Sequence, residues 1–243
     1  MKAVILAAGI ASRLRPLTDN CPKCLLEIGG KCLLQRSFDG LIKNGINDFV
    51  VVTGYLHEQI EGFLNERYSG VSIKFIHNEV YSSTNNIYSL WLARKEAEGK
   101  DILLLDSDIL FDPQIVARLL KSEHGDILAL NNHPLGEEEI KIIPIAEGRV
   151  AEISKTCSIA DAIGESIGIE RMSASYTTAL YKELEVMIGQ EGLDNVFYER
   201  AFERLIPQGY AFYVEDTTDL FSIELDTVED FNSAKELIPQ NLY

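Results

Sequence analysis

The chain alternates short apolar runs with stretches in which apolar residues recur at every third or fourth position. The first run, residues 4–8, is flanked by Lys2 and Gly9 and predicts a strand buried on both faces. Further strands are predicted at residues 49–53, 71–76, 102–105 and 127–130. Helical spacing predicts helices beginning near Leu34, Leu56, Thr84 and Pro113. The order of these elements predicts an α/β fold with a doubly wound, mostly parallel sheet and a ligand crevice at the strand ends.

The regular alternation breaks between residues 131 and 173. Residues 140–145 and 149–153 predict a β-hairpin insertion around Glu147 and Gly148, which makes the sheet mixed. Later patterns predict helices at 173–188 and 195–206, strands at 210–214 and 221–225, and a last helix from Thr227. Because no linker, repeat or low-complexity segment divides residues 1–243, we expect a single domain.

The charge balance narrows the possible partners. The chain carries 22 basic and 38 acidic side chains, a formal net charge of −16, so we expect no nucleic acid and no membrane surface as a partner. The first apolar run is too short to span a membrane and lacks the basic start and cleavage site of a signal peptide, so a cytoplasmic location is expected. Cys21, Cys24, Cys32 and Cys157 are too sparse for a disulfide framework and complete no zinc motif, which favours reduced thiols.

The first predicted strand runs into a loop, Gly9-Ile10-Ala11-Ser12-Arg13, and Pro22-Lys23 follows shortly after. Residues 9–12 have side chains no larger than isoleucine, which lets backbone N–H groups approach phosphate oxygens. Arg13 and Lys23 add the positive charge that phosphate recognition requires. A tight strand-to-helix turn would use a similar loop, but the two basic residues favour a polyphosphate site. Since the overall charge repels anions, local cations and a bound metal ion would have to hold such a ligand.

Two acidic pairs lie at predicted strand ends. One strand runs into Asp106-Ser107-Asp108, and a later one runs into Glu224-Leu225-Asp226. Carboxylate oxygens are the protein ligands that Mg²⁺ prefers, and the carboxyl ends of strands meet at one edge of such a sheet. The alternative interpretations are a solvated turn at Asp106 and an N-cap of the last helix at Asp226.

Taken together, these segments resemble a known superfamily. Residues 7–14 (AAGIASRL), Pro22-Lys23, Asp108 and Asp226 resemble the nucleotidyltransferases that make activated sugars and activated phospho-alcohols. The segments most similar to the phosphocholine cytidylyltransferase branch are residues 83–90 (STNNIYSL), Asp106-Ser107-Asp108, Lys155 and residues 164–168 (GESIG). Ala11 departs from the glycine that is frequent in the family's loop, and alanine fits there if its φ is negative.

The resemblance implies Mg²⁺-dependent transfer of a nucleotidyl group, with CMP from CTP preferred, to a small phosphorylated alcohol such as phosphocholine or 2-aminoethylphosphonate. Pyrophosphate leaves, and an acceptor phosphate with a second pKa of about 6 needs no protein base. The resemblance assigns Arg13 and Lys23 to the triphosphate as catalytic residues, and Asp108 and Asp226 to Mg²⁺. The expected nucleotide contacts are Leu6, Ala7, Ala8, Gly9, Ser12, Asn86 and Asp106. The expected acceptor contacts are Tyr81, Lys155, Glu165 and Tyr176.

The chemistry of the acceptor stays open. We expect a nucleotide-binding part at about residues 1–130 and an acceptor-binding part at about residues 131–226. A choline-like group would favour an aromatic cage, although Tyr88 and Trp91 at helical spacing are typical of core packing. The aromatic candidates are Tyr81, Tyr88, Trp91, Tyr176 and Tyr213. A primary amine or a polyol would instead need carboxylates, and the candidates are Asp161, Glu165 and Glu170.

Two other functions remain open. A hexose-1-phosphate nucleotidyltransferase would share the reaction and make a nucleotide sugar. A nucleotide-sensing subunit would lack catalysis, but the chain retains Arg13, Lys23, Asp108 and Asp226, which favours an enzyme. A nicotinamide-dependent dehydrogenase is disfavoured because residues 9–14 do not form a Gly-x-Gly-x-x-Gly motif. The sequence makes no prediction of the oligomeric state.

Overall fold

The computed structural model describes residues 1–242, and its centre is a nine-stranded mixed sheet. The strands are β1 (Lys2–Ala7), β2 (Glu27–Ile28), β3 (Lys31–Cys32), β4 (Asp48–Thr53), β5 (Ser72–His77), β6 (Ile102–Asp106), β7 (Ile109–Phe111), β8 (Ile127–Asn131), β9 (Lys141–Pro144), β10 (Val150–Ser154), β11 (Gly164–Met172), β12 (Tyr213–Asp216) and β13 (Ser222–Glu224). The helices are α1 (Leu33–Lys43), α2 (His57–Arg67), α3 (Asn86–Leu92), α4 (Arg94–Ala97), α5 (Gln114–Lys121), α6 (Ala174–Leu184), α7 (Glu199–Leu205) and α8 (Val228–Leu237).

The sheet has a parallel part and an antiparallel part. β1 lies between β4 and β6 and is parallel to both, and β5 continues the parallel part beyond β4. β11 is antiparallel to β6 and also pairs with β8 and β9. β9 and β10 form the hairpin, and β12 is parallel to β8. This arrangement confirms the predicted doubly wound α/β fold with a mixed sheet and a β-hairpin insertion.

Alternate residues of the central strand are buried against different layers of helices. Val4 and Leu6 belong to the cluster that contains residues of α3, α6 and α7. Ala3 and Ile5 belong to the cluster that contains residues of α1, α2 and α5. The strand is therefore buried on both faces, as its unbroken apolar sequence predicted. Within residues 1–242, no helix has the length and apolar character needed to cross a membrane.

The long strand β11 was not predicted by the apolar pattern. Its sequence, GESIGIERM, contains two glycines and three charged residues, and its pairing with β8 shifts register between Ser166 and Glu170. Glu170 is nevertheless fully buried. Gly168 adopts a left-handed φ of 69°, and a Cβ at this position would lie 2.7 Å from Asp106 Oδ2. Glycine therefore allows β11 to pass close to the carboxyl end of β6.

The start of the last helix bears on the role of Asp226. Thr227 is the N-cap of α8, because its hydroxyl accepts from the Asp230 N–H at 3.1 Å. The Asp230 carboxylate in turn accepts from the Thr227 N–H at 2.7 Å, which completes a capping box. The alternative interpretation of Asp226 as the N-cap is therefore wrong.

Two predicted elements begin three or more residues later than predicted. The helix predicted at residues 195–206 begins as α7 only at Glu199. The strand predicted at 210–214 begins as β12 at Tyr213. Both predicted elements exist, and their starts are displaced because apolar residues before them pack against the core without regular backbone hydrogen bonds; Phe212, for example, is buried.

Candidate active site

A cleft of about 300 Å³ opens where β1 and β6 end and β11 passes beside them. The predicted nucleotide contacts in its wall are Leu6, Ala7, Ala8, Gly9, Asn86 and Asp106. The predicted phosphate, metal and acceptor residues in the same wall are Arg13, Lys23, Asp108, Asp226, Tyr81, Lys155 and Glu165. Residues far apart in the sequence therefore meet at the carboxyl edge of the sheet, where ligands of doubly wound folds bind.

Two of the predicted site residues lie outside the cleft wall. Ser12 is exposed and begins a short 3-10 turn, Ser12–Leu14. Tyr176 is 1% exposed, and its ring centroid lies 4.6 Å from that of Phe212 in the core. Tyr176 therefore contributes to core packing rather than to the acceptor side of the cleft.

The other aromatic candidates for a cage are also dispersed. The rings of Tyr88 and Trp91 pack on each other with centroids 5.3 Å apart, and Tyr213 stacks on His124. Of the five predicted aromatic residues, Tyr81 is the one that lines the cleft. A cage made of the predicted rings does not form, and the aromatic ring that sequence reasoning missed is Phe197, which also lines the cleft.

The first loop holds a residue in a strained conformation. Ala11 has φ 52° and ψ 51°, so it does not meet the condition of a negative φ under which alanine fits this loop without strain. A left-handed conformation costs an L-residue about 1–2 kcal/mol. Its carbonyl accepts hydrogen bonds from the Thr18 hydroxyl at 2.9 Å and from the Leu14 N–H at 3.1 Å. These bonds, with the fully buried Leu14 side chain, fix the turn that presents Arg13.

Lys23 joins the two predicted metal ligands. Its Nζ donates to Asp108 Oδ2 and to Asp226 Oδ1, each at 2.9 Å. Arg13 Nη2 donates to the other oxygen of Asp226 at 2.6 Å. Burial lowers the pKa of Lys23, but the two carboxylates outweigh burial and hold that pKa above its usual value. Burial raises the pKa of Asp226, and the charges of Lys23 and Arg13 outweigh it and keep the pKa below its usual value. Both partners are therefore charged at neutral pH.

The pairing of two short strands explains why these aspartates meet. β7 and β13 are antiparallel, and the Leu225 N–H donates to the Asp108 carbonyl at 3.0 Å. Glu224, the last residue of β13, adds a third carboxylate. One ligand oxygen from each of Asp108, Glu224 and Asp226 lies within 4.8 Å of the others. We call these three residues the carboxylate centre.

The carboxylate centre fits a hard divalent cation. Asp108 Oδ1 is buried and accepts no hydrogen bond from residues 1–242. Burial, together with the charges of Asp108 and Asp226, raises the pKa of Glu224 to about 8. A carboxylate oxygen without a hydrogen-bond partner, with two further carboxyl groups close to it, is the kind of ligand set that Mg²⁺ binds. The acidic pair of Glu224 and Asp226 is visible in the sequence, but only Asp226 was assigned to the metal.

Asp106 is a half-buried residue of the cleft wall that lies near two buried acidic residues, Glu170 and Glu199. Its Oδ2 accepts from the Tyr198 hydroxyl at 2.9 Å. Burial and then the nearby charges of Asp108, Glu199 and Glu170 raise the pKa of Asp106 well above its usual range. The Asp106 side chain is therefore hydrogen-bonded within the fold, and the alternative of a solvated turn is wrong for it.

Asn86 presents hydrogen-bond donors to the cleft. It is the first residue of α3, whose N-cap is Asn85. Its Oδ1 accepts from the Tyr198 N–H at 2.9 Å. The amide oxygen is therefore in use, and the NH₂ group is the part of Asn86 available to a ligand.

The opposite side of the cleft contains two of the four predicted acceptor contacts, Lys155 and Glu165. Glu165 Oε1 lies 2.6 Å from His133 Nε2. Lys155 Nζ donates to Glu138 at 3.2 Å and lies 4.5 Å from the centroid of the Phe197 ring, a cation–π arrangement.

Glu199 is a further acidic residue on this side that sequence reasoning missed. It is 5% exposed, lines the cleft, and its Oε2 is buried with no hydrogen-bond partner among residues 1–242. Burial raises the pKa of Glu199 to about 7, although the charge of Lys155 opposes this shift. A carboxyl group with an unused oxygen can accept a hydrogen bond from a ligand.

Gly54 allows close packing between Ala8 and Tyr81 at the nucleotide side of the cleft. A Cβ at Gly54 would lie 2.6 Å from the Ala8 carbonyl oxygen and 2.8 Å from Tyr81 Cβ. We expect Gly54→Ala to lower the free energy of unfolding by about 1–3 kcal/mol, measured by urea denaturation. Gly62→Ala is the matched control, because its Cβ would meet nothing within 4 Å in α2 and should stabilise the protein by about 0.5–1 kcal/mol. Equal stability of the two variants would contradict this interpretation.

The fold and the cleft together define an α/β protein with a cleft, lined by Arg13 and Lys23, at the end of its central strand. Residues 2–130, just over half of the chain, match the Nucleotidyl transferase family. The chain therefore belongs to this family, which confirms the resemblance seen in the sequence.

Several of the proteins that this chain is similar to are cytidylyltransferases. The chain is 39% identical over 107 residues to choline-phosphate cytidylyltransferase of Streptococcus pneumoniae, which covers 44% of this chain and 45% of the relative. It is 26% identical over 229 residues to CTP:phosphoglutamine cytidylyltransferase of Campylobacter jejuni, covering 85% and 88% of the two chains. The solved structure of CTP:phosphocholine cytidylyltransferase from Streptococcus pneumoniae superposes with a TM-score of 0.81 at 24% identity, covering 98% and 99%. The alignment thus spans less than half the length of the first relative, and the solved structure supports the fold.

Proposed function

We propose that this protein is a Mg²⁺-dependent cytidylyltransferase. It transfers CMP from CTP to a small phosphorylated alcohol or phosphonate, such as phosphocholine or 2-aminoethylphosphonate, and releases pyrophosphate. The observation that carries the proposal is the bridge of Lys23 between Asp108 and Asp226 at the end of the first loop. This bridge places positive charge and metal-binding oxygens at one point, as nucleotidyl transfer requires.

In the proposed reaction, an oxygen of the acceptor phosphate or phosphonate attacks the α-phosphorus of CTP. The new P–O bond forms as the bond to the bridging α,β-oxygen breaks, and pyrophosphate leaves with that electron pair. Lys23 and Arg13 lie beside the carboxylate centre and offset the charge that develops on the departing pyrophosphate. Mg²⁺ held by Asp108, Asp226 and Glu224 would supply further positive charge to the phosphates.

The charge balance supports the need for a divalent cation. Lys23 and Arg13 are already paired with Asp108 and Asp226, and Glu224, whose pKa is raised to about 8, is a third carboxyl group beside them. The protein's own cations at this point are therefore occupied by its carboxylates, and a bound triphosphate needs further positive charge there. Metal removal by a chelator should therefore abolish turnover.

The preference for cytosine is supported by Asn86. Its NH₂ group can donate to O2 and N3 of cytosine, which both accept hydrogen bonds. Uracil and thymine carry a donor at N3 and do not match two donors along this edge. The names of the cytidylyltransferase relatives favour the same base.

The acceptor is proposed to bind on the side formed by residues 131–226, while residues 1–130 hold the nucleotide. Lys155 would face its phosphate or phosphonate, and Glu165 and Glu199 its cationic end. Phe197 adds a ring face to this side of the cleft. Carboxylates outnumber rings there, which favours an acceptor whose nitrogen retains N–H donors over one that is fully methylated.

A substrate screen tests the proposed function. Pyrophosphate release is measured for ATP, GTP, UTP and CTP, each with phosphocholine, phosphoethanolamine, 2-aminoethylphosphonate and glucose 1-phosphate, with and without Mg²⁺. We expect CTP to exceed the other nucleotides by about 10²-fold, as buried hydrogen-bond readout allows, and an amine-bearing acceptor to be used best. Preference for a sugar phosphate would establish the hexose-1-phosphate alternative, and no release with any pair would favour a sensing subunit.

A further inference from the structure

We propose that Lys141 is a positioning residue, which fixes the acceptor side of the cleft from behind by joining two loops. The inference rests on the proposed function only in its kinetic readout. Lys141 is the first residue of β9 and is 1% exposed, so its side chain is among the largest that are fully buried. A lysine buried this deeply needs a physical explanation, because burial of an ammonium group is costly unless its hydrogen bonds are made.

The explanation lies in three backbone carbonyls. Lys141 Nζ donates to the carbonyl oxygens of Glu137 at 3.3 Å, Glu139 at 3.2 Å and Lys155 at 2.6 Å. An ammonium group has three N–H donors, so all of them are used. Within residues 1–242 no carboxylate oxygen lies within salt-bridge distance of Lys141 Nζ, although the charge of Lys141 lowers the pKa of the nearby Glu139 and opposes the rise of the pKa of Glu165. The hydrogen bonds to three neutral carbonyls offset the free-energy cost of burying the ammonium group. The ammonium group therefore connects separate main-chain segments.

The Lys141 ammonium group connects two segments that contain no helix or strand. The first, residues 132–140, links β8 to β9, and the second, residues 155–163, links β10 to β11. Both reach the cleft, because Glu138, Glu139 and Lys155 line it. Lys155 and Glu138 also form an ion pair across the two segments at 3.2 Å, but Glu138 is 78% exposed there. An exposed ion pair stabilises little, so the buried ammonium is the stronger connection between the segments.

Loss of the Lys141 ammonium group should affect binding of one substrate and not the other. Without the ammonium, the carbonyls of both segments lose their common donor, and Lys155 loses the contact that fixes its backbone. The nucleotide side is made of β1, the first loop and α3, none of which contacts Lys141 through these bonds. Loss of Lys141 should therefore disturb the acceptor and leave CTP binding in place.

The test compares wild type with Lys141→Met, which keeps the apolar stem and removes the three donors. We expect KM for the best acceptor to rise about tenfold or more, as for misplaced positioning groups, with KM for CTP changed less than about twofold. Backbone hydrogen exchange in residues 132–140 and 155–163 should accelerate, while exchange in β1 and β4 stays at the wild-type rate. Lys141→Arg, which retains charge and N–H donors, should restore part of the acceptor affinity.

Tyr181→Phe is the matched control for stability. It removes one buried donor, whose hydroxyl donates to the Leu90 carbonyl at 3.1 Å, at a position outside the cleft wall. We expect it to lower Tm and leave both KM values unchanged. Equal rises in both KM values for Lys141→Met, or unchanged exchange in the two segments, would overturn the proposal. If wild type transfers no nucleotidyl group at all, the proposed function fails, while the exchange measurement still decides the role of Lys141.

Discussion

Replacing Asp226 with asparagine is expected to reduce Mg²⁺-dependent pyrophosphate release by about 10²–10³-fold or more, the effect of losing one pre-organised charge at a reacting centre. The amide keeps the size of the side chain but removes a negative charge from the carboxylate centre. Higher Mg²⁺ concentrations should be needed for half-maximal activity. Steady-state kinetics at several Mg²⁺ concentrations measure both effects.

The variant should remain folded, which makes the kinetic loss interpretable. α8 is capped by Thr227 and Asp230, so its start does not depend on the Asp226 carboxylate. Asp219→Asn is the control, since Asp219 is also an ion-paired aspartate, with Arg118, but lies outside the cleft wall. Wild-type turnover and an unchanged Mg²⁺ requirement for Asp226→Asn would remove this aspartate from the proposed metal site.

The apolar pattern predicts the parallel half of this fold well and the antiparallel half poorly. β1, β4 and β6 are buried on both faces, so each is an unbroken apolar run in the sequence. β11 lies in the same sheet yet contains Glu170, whose carboxyl is buried among other polar groups, and Gly168, whose φ is positive. The local sequence pattern does not indicate a strand whose polar residues become buried only when the chain folds.

The same distinction applies to the site. Asp108 and Asp226 were identifiable because each follows a strand, and the pairing of β7 with β13 then brings them together. Glu199 and Lys141 carry no such signal, because burial and an unused or shared hydrogen-bonding atom are properties of the fold alone. Tyr176 shows the converse, since an aromatic residue that suits a cage is also what a core requires.

Lys23→Met should give a loss of turnover of similar size, about 10²–10³-fold, with the opposite effect on metal binding. The ammonium now neutralises Asp108 and Asp226 at 2.9 Å from each, so its removal leaves both carboxylates without their main counter-charge. Mg²⁺ should then bind about tenfold or more tightly, because a cation at this distance repels the metal by several kcal/mol in a partly buried site. Isothermal titration of Mg²⁺ without nucleotide measures this separately from catalysis.

Asp226→Asn should weaken Mg²⁺ binding and Lys23→Met should strengthen it. Replacement of a lysine with a purely structural role should change neither turnover nor Mg²⁺ affinity. Lys2→Met provides the control, since Lys2 is also paired with two carboxylates, Asp48 and Glu96, and its side chain is 13% exposed against 12% for Lys23. It should lower stability without changing turnover or Mg²⁺ affinity. If Lys23→Met binds Mg²⁺ no more tightly than wild type, the metal does not share Asp108 and Asp226 with this lysine. If it retains turnover, the lysine does not act on the triphosphate, and the proposed mechanism loses its central cation.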